Sequence, residues 1–202
     1  MLAFIKGTVE SAYIGKVHIE VGGVGFMVNT SQTTLRRIGE VGAQVRLYTH
    51  LYVREDEISL YGFDTQGELN AFRMLISVSG VGPKVALAVL SELPPSKFCM
   101  AVMNEDAKAI SQAHGIGLKT AMKIVIELKD RMRKEMGAPP EPSRGAAVGP
   151  ASASAVDEAV AALAVLGYSY IDSREGVDAA YAEGMGVEAL VFEALKLMDR
   201  GR

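Results

Sequence analysis

Val78-Ser79-Gly80-Val81-Gly82-Pro83-Lys84-Val85-Ala86 and Ala113-His114-Gly115-Ile116-Gly117-Leu118-Lys119-Thr120-Ala121 repeat one pattern at an offset of 35 residues. Downstream apolar positions keep the register: Leu87 with Met122, Val89 with Ile124, Leu90 with Val125, Leu93 with Leu128. Each copy therefore reads as a helix, a Gly-hydrophobe-Gly turn and a second helix. The hydrophobe, Val81 or Ile116, anchors the turn, while Gly80, Gly82, Gly115 and Gly117 permit special dihedrals and a close approach by a ligand. Amide hydrogens left unpaired at the following helix N-terminus point outward, where the helix dipole favours an anion. Lys84 and Lys119 come two residues after the second glycine, within reach of a neighbouring phosphate. Amides and lysines touch only backbone oxygens, so such a site positions DNA without reading its sequence. A single Gly-x-Gly can be no more than a tight helix connection. Two copies with Lys and Ala in register point to a bipartite phosphate clamp, with His114 as a neutral turn residue beside the second half.

Upstream, from Leu2 to Phe63, β-branched and aromatic residues alternate with glycine at the breaks. Five strands are expected near 2–10, 12–21, 24–30, 44–53 and 58–63. Gly22-Gly23 lies between two alternating runs, where a two-residue hairpin needs positive φ. The last two strands flank a charged tip, Arg54-Glu55-Asp56-Glu57. Five antiparallel strands in about 63 residues suit a small closed barrel, of which the OB-fold is the commonest.

Beyond Gly62 the period turns helical, with Leu69, Phe72, Leu75 and Ile76 at three- and four-residue spacing. Pro83 suits a first helical position, and Pro94-Pro95 closes that helix. Residues 118–135 read as a long amphipathic helix ending in Lys129, Arg131, Arg133 and Lys134, cations favoured at a helix C-terminus. Four of the seven prolines then fall in Gly137–Ser152, a composition that cannot bury a core of its own. Past this linker, Val156/Val160/Leu163/Leu166 and Val187/Leu190/Val191/Ala194/Met198 mark the first and last of three short helices. The expectation is an α+β multidomain chain: barrel at 1–63, tandem helix-hairpin-helix at 64–136, flexible linker at 137–152, and a UBA-like three-helix bundle at 153–202.

The formal charge of −3 argues against a nucleic-acid partner only until it is divided along the chain. Lys/Arg against Asp/Glu number 6 and 6 in residues 1–63, 10 and 8 in 64–135, and 5 and 10 in 136–202, giving 0, +2 and −5. The middle segment is permissive for DNA, and the acidic surplus belongs to the C-terminal end. One cysteine, Cys99, excludes an intrachain disulfide framework, and His18, His50 and His114 lack metal-ligand spacing. No metal or cofactor is expected. Apolar runs end well short of the roughly 18 residues of a membrane span, and the N-terminus lacks signal-peptide regions, so a soluble cytoplasmic protein is expected. An ATPase is disfavoured because Leu118 separates Gly117 from Lys119-Thr120, breaking the Gly-Lys-[Ser/Thr] adjacency of a phosphate loop. A glycosylase would need a catalytic carboxylate, and its nearest candidate, Asp130, lies in a charged helix end. A DNA-binding accessory of a nuclease or ligase would share the hairpins, though not the barrel, acidic tip and tethered bundle. No catalytic residue is expected.

Together, the tandem hairpins, Val53-Arg54-Glu55-Asp56, Leu60-Tyr61-Gly62-Phe63, Ile19-Glu20-Val21-Gly22-Gly23-Val24-Gly25 and the late Ala162-Leu163-x-x-Leu166-Gly167-Tyr168 resemble the RuvA family across nearly the whole chain. That resemblance implies binding of four-way Holliday junctions in recombination, DNA repair and the DNA-damage (SOS) response. It implies that Gly80, Val81, Gly82, Lys84, Gly115, Ile116, Gly117, Lys119, Thr120 and Lys123 bind DNA backbone, and that Glu55 and Asp56 form an acidic pin. It implies a planar homotetramer with central barrels, one or two per junction. The expected partners are the hexameric RuvB ATPase, docked through whatever part of the apolar set Leu163, Leu166 and Tyr168 the bundle core leaves exposed, and the RuvC resolvase. The family usually carries a lysine at the position of Leu118 and often a proline at that of His114, so this chain's second hairpin lacks one expected charge.

Overall fold

A computed structural model describes residues 2–137, 155–166, 168, 170–182 and 184–200. The expected linker, from 138 onward, and Gly167 lie outside the described residues, as do the side chains of Asp130, Arg131, Arg133 and Lys134.

Strands β1 (Phe4–Tyr13), β2 (Lys16–Val21), β3 (Val24–Asn29), β4 (Gln44–Val53) and β5 (Ile58–Phe63) close into a barrel in the order β1-β2-β3-β5-β4. Its neighbours are antiparallel except β3 and β5, where Val28 pairs with Leu60 and Asn29 with Tyr61 in parallel. This corrects the expectation of an all-antiparallel barrel, and the reason is parity. Five strands in a closed ring cannot alternate direction all the way round, so one adjacent pair must run the same way. The Gly22-Gly23 hairpin forms as expected, both glycines having positive φ. The first break falls at Ile14-Gly15 rather than near residue 11, because an irregularity between Val9 and Ser11 shifts the register and carries β1 onward. Ile5, Val9, Val17, Ile19, Val28, Leu47 and Leu60 fill the interior. At Gly62 a β-carbon would stand 2.6 Å from Val28 Cγ1, so the closure leaves no room for a side chain there.

A helix that the sequence reading did not foresee, α1 (Gln32–Arg37), connects β3 to β4, with Ser31 capping it by accepting from the Thr34 amide. The helical part then runs α2 (Gln66–Ile76), α3 (Pro83–Glu92), α4 (Pro95–Met103), α5 (Ala107–Ser111) and α6 (Leu118–Gly137). Pro94-Pro95 both ends α3 and starts α4. Among the described residues, no single helix is long and apolar enough to cross a membrane.

Aromatic packing and a buried carboxyl join barrel and helices. Phe72 of α2, fully buried, stacks on Tyr61 at 5.0 Å between ring centroids and lies equally close to Phe63. Beside it Glu68, also fully buried, accepts the hydroxyl of Ser31 and, at 2.8 Å, that of Thr34. Thr34 Oγ1 in turn accepts the Asp64 amide at 3.1 Å. On the other side of α1, the Gln32 amide donates to Ser91 Oγ and the Thr33 hydroxyl to the Leu90 carbonyl, both on α3. The short polar helix is thus pinned to both α2 and α3.

The C-terminal unit is a three-helix bundle of α7 (Ala155–Val165), α8 (Tyr170–Ala180) and α9 (Val187–Arg200). Its core holds Ala159, Val160, Val177, Leu190, Val191 and Ala194. Leu163 (0% exposed) and Leu166 (4%) belong to that core, which corrects their expected place in a docking patch. Their helical spacing marks the inward stripe, and a fully buried side chain offers a partner nothing. Tyr168 is half-buried, its amide bonded to the Leu163 carbonyl. Arg174 bridges Asp157 and Asp178 on the surface, at 3.1 Å to each.

Burial raises the pKa of Glu68 above its ordinary 4.5, opposed by the two hydroxyls and Arg37 and reinforced by Asp64. Folding therefore favours the protonated carboxyl. The stability this protonation contributes is complete below the unfolded-state pKa and is lost as pH rises through the folded one. Relative to Glu68→Gln, which cannot titrate, the wild-type protein is expected to be most stable in mild acid and to lose ground toward neutral pH in thermal unfolding; a pH-independent difference rejects this. Glu68→Ala should cost about 1–3 kcal/mol by leaving two buried hydroxyls without their acceptor.

Candidate nucleic-acid interface

The two hairpins superpose bond for bond. In the first, the Val78 amide donates to the Leu75 carbonyl at 3.1 Å, Val81 to Val78 at 3.0 Å, and Ala86 to Gly82 at 3.0 Å. Thirty-five residues on, Ala113 donates to Ile110 at 3.2 Å, Ile116 to Ala113 at 3.2 Å, and Ala121 to Gly117 at 3.0 Å. Gly80 and Gly115 take matching positive φ, +86° and +81°. Val81 and Ile116 are buried, as are Ala86 with Ala121, Val89 with Ile124 and Leu90 with Val125. Burying a valine or isoleucine contributes about 1.5–3 kcal/mol, enough to hold each turn against the helices beneath it. The repeat does not extend into the core everywhere. Leu87 is half-buried and Met122 is 48% exposed, so this pair shares a helix position without sharing a role.

The turns present backbone outward. A β-carbon at Gly80, Gly82, Gly115 or Gly117 would meet nothing within 4 Å. The glycines at Gly82 and Gly117 therefore answer to no internal crowding, and their bare surface is open to an approaching group. Gly82 caps α3 without a side-chain bond. Pro83 has no amide hydrogen, and helix geometry leaves the Lys84 and Val85 amides without an intrahelical acceptor. The second helix starts with Leu118 in place of proline and so has one more free-standing amide. Lys84 and Lys119 are exposed at corresponding positions, Thr120 is half-buried, and His114 is exposed beside its turn. Lys123 is exposed as well, and its Nζ donates to the Ser79 carbonyl of the other hairpin at 2.6 Å. Nothing in residue spacing announces that bond, since a lysine side chain can swing to many partners.

At the far end of the β4–β5 hairpin, the Arg54 amide closes the tip by donating to the Glu57 carbonyl at 2.8 Å. Arg54 folds back, its Nε donating to the Tyr52 hydroxyl at 2.6 Å with the guanidinium 5.1 Å from that ring's centroid. Glu57 also turns away from the tip, accepting the Ser59 hydroxyl. Glu55, Asp56 and Glu57 are all exposed, and Glu55 and Asp56 form the point of the tip, above a cross-strand pair of Val53 (61% exposed) and Ile58 (76%). Of the four charged residues read from sequence, two are thus held back by neighbours on the adjoining strands.

Comparison with known families and proteins agrees along the whole chain. Residues 1–62 match the family described as RuvA N terminal domain, 72–130 the SAM-like helix-hairpin-helix tandem, and 154–199 the RuvA C-terminal domain. A protein of Acetivibrio thermocellus named Holliday junction branch migration complex subunit RuvA is 47% identical over 201 residues, covering 99% of this chain and 100% of its own. Proteins of the same name from Symbiobacterium thermophilum and Ruminiclostridium cellulolyticum are 44% and 43% identical, over 100% and 97% of this chain and 100% and 99% of theirs.

The positive φ at Gly80 and Gly115 separates them from their partners. Alanine there should cost about 1–2 kcal/mol in urea unfolding, the penalty of a β-carbon in the left-handed region. Gly82→Ala and Gly117→Ala, at ordinary φ with open space, should cost less than either. Equal losses at all four positions contradict this assignment.

Proposed function

The chain belongs to the RuvA family, and from that premise we propose that it is a non-catalytic DNA-binding subunit that holds four-way junctions by their backbones and serves a branch-migration motor. The carrying observation is the pair of hairpins 35 residues apart with the same turn hydrogen bonds, each opening a helix whose first amides lack an intrahelical acceptor. Main-chain amides at Lys84 and Val85 and at Leu118, Lys119 and Thr120, with the Lys84, Lys119 and Thr120 side chains, take phosphate oxygens. Such contacts fix position and carry no base sequence, as a junction binder active throughout a genome requires. The second clamp meets its phosphate with one cation fewer than the family pattern, because Leu118 contributes only its amide.

Structure selectivity falls to Glu55 and Asp56. In a homotetramer with central barrels, four such tips gather where the arms meet, and carboxylates there repel the phosphates of a continuous duplex while tolerating strands that part. Repulsion between unit charges 4 Å apart is about 1 kcal/mol in water and about 4 kcal/mol near a protein surface. Several such contacts suffice to bias an open, planar junction over a duplex laid across the centre. One or two tetramers enclose the DNA, and the complex serves homologous recombination and repair in the cytoplasm.

The C-terminal bundle recruits the RuvB ATPase. With Leu163 and Leu166 inside, the docking surface is drawn from the exposed apolar residues Tyr170, Tyr181 and Leu197 together with half-buried Tyr168. RuvC joins the larger assembly. Catalysis by this chain itself finds no support at the one sequence reminiscent of a phosphate loop: Gly115–Thr120 follows helix α5, where such a loop would follow a strand.

In gel-shift titrations at stated salt, a four-way junction is expected to bind more tightly than linear duplex of equal length, and equal affinity would sink the proposal. Lys84→Ala and Lys119→Ala should each weaken binding and flatten the plot of log K against log salt by about 0.9, the release of one counterion; an unchanged slope removes that lysine from the phosphate contacts. Neutralising Glu55 and Asp56 together should instead raise duplex affinity and narrow the preference for the junction. Unaltered rejection of duplex by that double variant counts against the pin.

A further inference from the structure

Lys123 stands one helical turn beyond Lys119, yet its Nζ reaches across 44 sequence positions to the carbonyl of Ser79, at 2.6 Å. Ser79 immediately precedes Gly80, the residue whose positive φ makes the first turn. We propose that Lys123 is a positioning residue that straps the second hairpin's helix to the first hairpin's turn, fixing the spacing of the two phosphate sites rather than neutralising a phosphate itself. The proposal rests on the reading of the hairpins as phosphate clamps.

The repeat shows that the strap is made once. At the offset of 35, Lys123 corresponds to Ala88 and Ser79 to His114. Ala88 has no donor and no reach, so the same link cannot form between α3 and the second turn. The bond therefore arises where the two copies differ, whereas the bonds that build each turn arise where they agree. Its location also fits the need. The first turn is anchored from below by buried Val81, but Ser79 and Gly80 are exposed, and a β-carbon at Gly80 would touch nothing. An ammonium on the Ser79 carbonyl holds that exposed peptide from the side. The same peptide unit carries the Gly80 amide, and a cation on its oxygen polarises the N–H into a stronger donor toward an anion.

Two linked sites gripping one backbone gain from each other only when their separation matches that of the phosphates, and pre-set geometry lowers the ordering cost of binding. Loss of the strap should therefore weaken the first clamp without subtracting a counterion. Two readouts on the full chain separate this from direct phosphate contact: hydrogen exchange of the Val81 amide, which is bonded to Val78 inside the turn, and the salt dependence of junction binding. Lys123→Met is expected to speed Val81 exchange several-fold while leaving the corresponding Ile116 amide unchanged. It should lower junction affinity several-fold at an unaltered salt slope. Lys123→Arg should restore both. Lys84→Met should do the reverse, flattening the slope by about 0.9 with Val81 exchange untouched. Unchanged Val81 exchange in Lys123→Met overturns the strap, as does a slope that falls as far as in Lys84→Met. If the wild-type chain shows no preference for junctions, the proposed function fails, and the exchange measurement still decides whether Lys123 holds the turn.

Discussion

A carboxyl group buried between two hydroxyls sets the relation of the barrel to the hairpins. Glu68 belongs to the first helix of the helical part, and its two oxygens are taken by Ser31 and Thr34 at the start of the short helix leaving β3. Taking a carboxylate out of water costs several kcal/mol unless its lone pairs are satisfied, so this arrangement tolerates little displacement. Apolar packing of Phe72 against Tyr61 and Phe63 supplies the adhesive area beside it, but such packing lacks direction. The hydroxyl bonds supply the direction, and through them the β4–β5 tip and the two glycine turns become parts of one body.

Within that body the repeated hairpins divide into a shared layer and a private one. The backbone hydrogen bonds of the two turns, their left-handed glycines and the buried anchors Val81 and Ile116 coincide. Side chains above them do not: Pro83 faces Leu118, Ser79 faces His114, and Ala88 faces Lys123. The shared layer makes each turn a turn, and the private layer makes the pair asymmetric.

How much of this was legible in the sequence follows from the range of the physics involved. Gly80 and Gly115 were readable because a left-handed turn leaves almost no choice of residue, and the strands because burial of one face imposes alternation. The parallel pairing of β3 with β5 was available from strand number alone, yet alternation describes faces and is silent about direction. The helix at Gln32–Arg37 escaped because six mostly polar residues carry too little periodicity, and its stability comes from partners on α2 and α3 far along the chain. Glu68 gave no signal, since a glutamate in a first helical turn is ordinarily a solvated charge favoured by the helix dipole. Leu163 and Leu166 show the opposite failing: a strong apolar stripe marks what is hidden as readily as what is offered, and only the folded bundle distinguishes them. The Lys123–Ser79 bond lay beyond reach because it joins a flexible side chain to a backbone atom, which no residue type specifies.

The open space over all four hairpin glycines bears on how the chain tolerates sequence drift. A grip made of side chains can be erased by replacing them one at a time. A grip made of peptide amides travels with the chain itself, and nearly any residue brings the same N–H to the same place. For the proposed amide grip, mutational fragility is concentrated at the few positions that shape the backbone, while the outward side chains are comparatively free to vary. Leu118 illustrates that freedom, since it sits at the head of the second helix with an apolar side chain and still leaves its amide without an intrahelical acceptor.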